Sequence, residues 1–111
     1  MPVAPTGAGQ YTANLVNAND ALTFGLPDSR CSKVVIQLTG TWTGTVTYEV
    51  TLDGTTWVAI LGTPTTTATQ ASTSTANQAL QFETSGYFQF RARFSTASSG
   101  TVVANGRSVG Y

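Results

Sequence analysis

The sequence predicts an all-β fold: a two-sheet antiparallel sandwich, jelly-roll-like, built from about eight short strands. Three observations lead there. Apolar and polar residues alternate with a period of two in several segments, the spacing that sends successive side chains to opposite faces of a strand. Turn-forming residues interrupt these segments at short intervals. β-Branched and aromatic residues dominate the periodic stretches, and no segment repeats its apolar residues at helical spacing.

The clearest element runs from Gly40 to Leu61. Val46, Tyr48, Val50 and Leu52 alternate there with Thr45, Thr47, Glu49 and Thr51. Asp53-Gly54 reverses the chain, because Gly accepts a positive φ and Asp bonds its own backbone. Trp57 to Leu61 returns as the partner strand, with Trp57 expected to cap one end of the sandwich.

The remaining strands follow in chain order. Met1 to Gly9 combines Pro2, Pro5, Gly7 and Gly9 with small side chains, which makes an extended arm ahead of a single domain over residues 10–111. Such an arm is either loose or ordered on a partner. Gln10 to Val16 is a first short strand. Leu22 to Leu26 is a second, with Leu22, Phe24 and Leu26 on one face, and Pro27-Asp28-Ser29 turns the chain. Lys33 to Thr39 places Val34, Ile36 and Leu38 together. Gly62 to Asn77 holds no large apolar group and reads as a long surface loop with room for a short edge strand. Gln78 to Thr84 resumes a strand, and Ser85-Gly86 turns. Tyr87 to Ser95 sets Phe88, Phe90, Ala92 and Phe94 opposite Tyr87, Gln89, Arg91 and Arg93. Ser98-Ser99-Gly100 turns again, Thr101 to Asn105 is the last strand, and Gly106 to Tyr111 is a tail. The expected core is Val34, Ile36, Leu38, Val46, Tyr48, Val50, Leu52, Leu80, Phe82, Phe88, Phe90, Phe94 and Val102. Burying each large member contributes about 1.5–3 kcal/mol, which accounts for them without any ligand.

Composition narrows the function. Charged residues are 9% of 111 and balance to a net charge of zero, so the clustered Lys and Arg that neutralise phosphates are missing and no nucleic-acid partner is expected. No run of about 18 apolar residues occurs, so no membrane span is expected. The N-terminus has neither a basic region nor an apolar core, unlike a signal peptide. Synthesis and folding in a cytoplasm are expected, which leaves a working site inside or outside the cell open. A lone cysteine, Cys31, cannot close a disulfide within the chain. The polar surface must come from Thr, Ser, Asn and Gln. Neutral hydroxyls suit dense packing against neighbours, where buried charge is expensive, and they also fit any Thr-rich β-protein.

Catalysis is not expected. The chain contains no His, the commonest general base and metal ligand. Its five carboxylates are Asp20, Asp28, Glu49, Asp53 and Glu83. Asp53 belongs to a turn. Glu49 and Glu83 sit on outer faces, where pairing with Arg91, Arg93 or Lys33 across strands is their structural role. No cofactor and no metal is implied. Candidate partner contacts are few. Arg91 and Arg93 form a basic stripe that could meet a carboxylate on a partner subunit or simply be a solvated face. Trp42, between Gly40 and Gly44, either covers the open mouth of the sandwich or is free to stack on a sugar or fill a partner's pocket.

Several residues together carry a resemblance. Gly40-x-Trp42-x-Gly44-Thr45-Val46-x-Tyr48-Glu49, then Asp53-Gly54-x-x-Trp57, is similar to a recurring module of tailed-bacteriophage virion proteins. Gly86-Tyr87-x-x-Phe90-Arg91-x-Arg93, followed by Ser99-Gly100-Thr101-Val102, resembles its second half. Together they span roughly Lys33 to Ala104. The module occurs in capsid-associated, tail and fibre proteins alike and carries no catalytic residues. The resemblance therefore implies a virion structural component. Because the module is nearly the whole chain here, preceded by a short arm, it implies a capsid decoration or cement protein on the outside of the phage head. Its partner would be the major capsid protein. Pro2, Val3 and Pro5 in the arm, with Trp42, Arg91 and Arg93, would make contacts to the capsid or to other subunits, and self-association would favour a trimer. A tail or fibre adhesin, a carbohydrate-binding module and a tail or neck subunit are the alternatives.

Overall fold

The computed structural model describes residues 10–26, 33–67, 69–84 and 86–109. The proposed arm with Pro2, Val3 and Pro5, the Pro27-Asp28-Ser29 turn, Cys31, Ser85 and the last two residues lie outside the described residues.

Among the described residues ten strands form: β1 (Gln10–Leu15), β2 (Ala21–Gly25), β3 (Lys33–Thr39), β4 (Trp42–Thr51), β5 (Trp57–Ala59), β6 (Thr63–Pro64), β7 (Thr73–Ser74), β8 (Ala79–Glu83), β9 (Gln89–Gly100) and β10 (Val102–Val109). They make two five-stranded antiparallel sheets. The first is ordered β1-β10-β3-β8-β6; the second is β2-β9-β4-β5, with β7 also on β4. Without the two-residue β6 and β7, eight strands remain, as the alternation predicts. β1 pairs with β10, β2 with β9, β3 with β8 and β4 with β5. The chain is thus a long ribbon folded on itself at β4–β5. Rolling that ribbon brings β10 onto β3 and β9 onto β4, and the two sheets form a β-sandwich.

The inner faces meet in one core. Phe24, Tyr48, Phe82 and Phe90 are each at most 1% exposed, and their rings contact at 4.8–5.6 Å in the pairs Tyr48–Phe82, Phe82–Phe90 and Phe24–Phe90. Tilted and edge-on arrangements of this kind are favoured over face-to-face stacking. The Tyr48 hydroxyl bonds the Ser74 hydroxyl at 2.6 Å, so its polar tip is satisfied inside the sandwich. Burial pushes the Tyr48 phenol up to about 12, against a smaller opposite pull from the Ser74 bond. Leu15, Leu22, Phe24, Leu26, Ala92 and Ala104 join the expected core.

Two expected core residues are outside it: Leu52 is 71% and Phe88 51% exposed. Both have the right parity, Leu52 with Val50 and Phe88 with Phe90, but both lie past a strand end. β4 stops at Thr51 and β9 begins at Gln89. Alternation assigns a face; it does not say whether the opposite sheet reaches that far.

The expected tail is the second correction. β10 continues to Val109 and pairs with β1 on one side and β3 on the other. Its inward positions are Val102, Ala104 and Gly106, so the apolar signal fades along the strand. Gly106 is required by close approach: a Cβ there would run into Phe24 Cζ and Ile36 Cδ1. Gly44 is a second such place. Its φ of 144° coincides with a register shift between β4 and β9 at Thr43/Gly44, and a Cβ would strike the Thr96 carbonyl oxygen. This is a bulge that only glycine fits.

The Gly62–Asn77 segment is a crossing rather than one edge strand. β6 adds to β8 in the first sheet and β7 to β4 in the second, while Gly62 and Ala71 exchange backbone hydrogen bonds of 2.8 and 3.0 Å. Pro64 and Ser74 are buried and anchor it.

Candidate functional site

The outer face of the second sheet gathers most of the charge-bearing side chains that the fold brings together. In β4, Tyr48 and Val50 point inward, so Glu49 points out. In β9, Phe90, Ala92 and Phe94 point inward, so Arg91 and Arg93 point out. The β4–β9 register sets Glu49 opposite Arg91 and Thr47 opposite Arg93. Arg91 Nε donates to Glu49 Oε1 at 2.7 Å. Arg93 donates through Nε to Oε1 at 3.0 Å and through Nη2 to Oε2 at 3.1 Å, a bidentate fork. Arg93 Nη1 donates to Asn19 Oδ1 at 2.8 Å. Asn19 lies in the β1–β2 turn with a φ of 73°, and its backbone N–H donates to the Phe94 carbonyl at 2.8 Å. Beside this, the Thr47 and Ser95 hydroxyls bond at 2.7 Å.

Electrostatics at the cluster are lopsided. The Glu49 side chain is 11% exposed and each arginine side chain 24%. Burial alone would raise the Glu49 carboxyl, but hydrogen bonds from Arg93 and Arg91, with their charges, outweigh it and hold it below the usual range. The same Glu49 bonds raise Arg93. One carboxylate thus serves two guanidiniums, and the cluster keeps a net positive charge.

Trp57 completes the face. The Arg91 guanidinium carbon lies 4.2 Å from the Trp57 ring centroid, within cation–π range. Trp57 was expected at an end of the sandwich, and the turn explains the difference. A two-residue Asp53-Gly54 turn would set Trp57 opposite Val50, on the inner face. Instead Asp53 Oδ1 accepts the Thr55 and Thr56 backbone N–H groups at 2.8 and 2.7 Å and the Thr51 hydroxyl at 3.0 Å. These bonds hold the Asp53 carboxyl well below the usual carboxylate range, the Thr56 bond most of all. The connection becomes five residues long, and Trp57 pairs with Thr51. A one-residue change of register moves a side chain to the other face.

Trp42 sits half-buried elsewhere. Its ring meets Phe94 edge-on at 5.8 Å and 89°, and its indole N–H donates to Asn77 Oδ1 at 2.6 Å. Asn77 Nδ2 in turn donates to the Gly40 carbonyl at 2.9 Å. Trp42 therefore packs against the core at Phe94 and is not brought together with Arg91 and Arg93. Lys33 and Glu83 pair at 3.1 Å on the first sheet, as the strand pairing suggests. Sequence reasoning missed Trp57 and Asn19 as members of the cluster. The parity of Trp57 depends on the turn length, and Asn19 has no periodic signal at all.

Among the described residues, no three His, Cys, Asp or Glu side chains come together as metal ligands, and no helix is long and apolar enough to cross a membrane. What the face can do chemically is present a guanidinium edge beside an aromatic ring.

No family model and no curated protein matches the sequence. Solved structures similar in fold include two prophage proteins. The SPBc2 prophage-derived protein YomS aligns with a TM-score of 0.75 at 15% identity, over 90% of this chain and 92% of that one. The PBSX exported protein XepA aligns with a TM-score of 0.73 at 21% identity, over 90% of this chain and 38% of that one. This chain thus spans somewhat over a third of XepA. At these identities the likeness is one of fold.

Proposed function

We propose that this chain is a bacteriophage virion structural protein, most specifically a decoration or cement protein that binds the outer surface of the phage head and stabilises it. The observation that carries this reading is a sandwich of the same fold spanning 92% of a prophage-derived protein, together with the virion-module motifs between Lys33 and Ala104. The motif residues have structural work in the fold: Gly44 makes the β4 bulge, Asp53 the turn, and Glu49, Arg91 and Arg93 the outer-face cluster. In this reading the protein is a passive building block with no cofactor, working on the capsid exterior after synthesis in the host cytoplasm. It contacts the major capsid protein and associates with its own copies as a trimer. The arm containing Pro2, Val3 and Pro5 orders against the shell by adding an edge strand, and many weak contacts add through multivalency. Trp42, with its N–H engaged and its edge on Phe94, serves packing more than sugar stacking.

The test is the number of copies per purified particle, measured by quantitative mass spectrometry. Hundreds of copies support the head, a handful indicates the tail or neck, and none rejects a virion role. Deleting residues 2–9 is expected to lower occupancy on shells; unchanged occupancy rejects the part assigned to the arm.

A further inference from the structure

The outer face of the second sheet holds one cation that the fold has positioned but not used up. Arg93 spends Nε and Nη2 on Glu49 and Nη1 on Asn19. Arg91 spends only Nε, on Glu49; among the described residues its Nη1 and Nη2 have no partner. Its guanidinium is nonetheless fixed. Trp57 supports it at 4.2 Å and Glu49 grips its inner edge at 2.7 Å, while its side chain remains 24% exposed. The rotamer freedom that a free arginine loses on binding has already been lost in folding. The outer-face cluster also carries two guanidiniums against one carboxylate, in a chain whose net charge is zero.

We infer that the Nη edge of Arg91, backed by Trp57 and Glu49, is an anchor for a single carboxylate on a partner protein. This rests on the virion reading above and names the chemistry of the contact: an Asp or Glu side chain projecting from the partner's surface, taken bidentately. Charge complementarity selects the sign, and one uncompensated cation calls for one carboxylate. A protein is favoured over an acidic sugar because Arg91 already covers the Trp57 ring, the aromatic surface on which a sugar would stack. Arginine beside tryptophan is the side-chain chemistry enriched at the energetic centres of protein interfaces. Arg91 is the contact residue; Trp57 and Glu49 position it.

The experiment uses the full chain on its own virus particles. Wild type, Arg91→Gln and Arg91→Lys are supplied to particles lacking the protein, and bound copies are counted after washing. Circular dichroism and thermal melts establish that each variant is folded. Arg91→Gln should lower apparent affinity roughly tenfold to a hundredfold, and Arg91→Lys, which keeps the charge but loses the fork, should fall between it and wild type. Equal binding by all three overturns the anchor and leaves the virion reading intact. Failure of wild type to bind overturns that reading and the anchor with it. Immobilised polygalacturonate serves as the control probe. If it captures wild type but not Arg91→Gln, the occupant is an acidic sugar and the protein-carboxylate assignment is wrong.

Discussion

Gly106 is where this fold tolerates least. It lies in mid-strand between Phe24 and Ile36, both fully buried, and a Cβ would enter the space both side chains occupy. Gly106→Ala is expected to destabilise by about 1–3 kcal/mol, as overpacking a filled core does. Gly25→Ala is the internal control: nothing lies within 4 Å of its added Cβ, so urea unfolding should find it unchanged or slightly more stable. Equal loss in both variants would contradict the packing argument. Glu49 is the second sensitive residue. Replacing it with Gln leaves Arg91 and Arg93 facing each other without a carboxylate, at an expected cost of about 1–2 kcal/mol; solvent reaches both guanidiniums, so this is less than a fully buried pair costs. The pH dependence follows from the direction of the shifts. Glu49, Asp20 and Asp53 are all lowered in the folded state, Asp20 by the backbone N–H groups of Asn17 and then Val16. The unfolded chain therefore binds more protons in acid, and stability is fully present above the unfolded values and declines as pH falls through the folded ones. Unfolding measured from pH 7 down to pH 2 should show stability declining below about pH 4.5, with a shallower decline in Glu49→Gln. An identical acid profile in wild type and variant would contradict the Glu49 assignment.

At the scale of the element, β10 is the sharpest test. It lies between β1 and β3, and its second half includes Gly106 against the core. Removing residues 106–111 should abolish cooperative folding, seen as loss of a sigmoidal thermal transition. A truncated chain that melts like wild type would return these residues to the tail that the sequence suggests. The contrast explains what was legible beforehand. Strands carrying large apolar residues at alternate positions, such as Lys33–Thr39 and Ala79–Glu83, were readable because each inward residue registers in the pattern. The end of β10 was not, because its inward positions hold Ala and Gly, chosen to make room for large neighbours. Leu52 and Trp57 were misplaced for one shared reason, a turn lengthened by the Asp53 side-chain bonds. Parity put Glu49, Arg91 and Arg93 on outer faces and left Glu49 a choice among Arg91, Arg93 and Lys33; the β4–β9 register decides it, and the support Arg91 draws from Trp57 depends on that turn.

The whole molecule is a ribbon rolled into two sheets, with its inner aromatic residues satisfied by one another and its outer faces dominated by hydroxyl and amide side chains. The chain contains no His, the side chain whose ordinary pKa lies nearest neutrality. The most direct measurement is a reconstruction of the intact particle. If the protein decorates the head, density for this sandwich repeats over the outer shell in hundreds of copies, with the β2-β9-β4-β5 face toward a neighbouring protein. Particles whose shell carries no such density, from cells that produce the protein, would contradict that role.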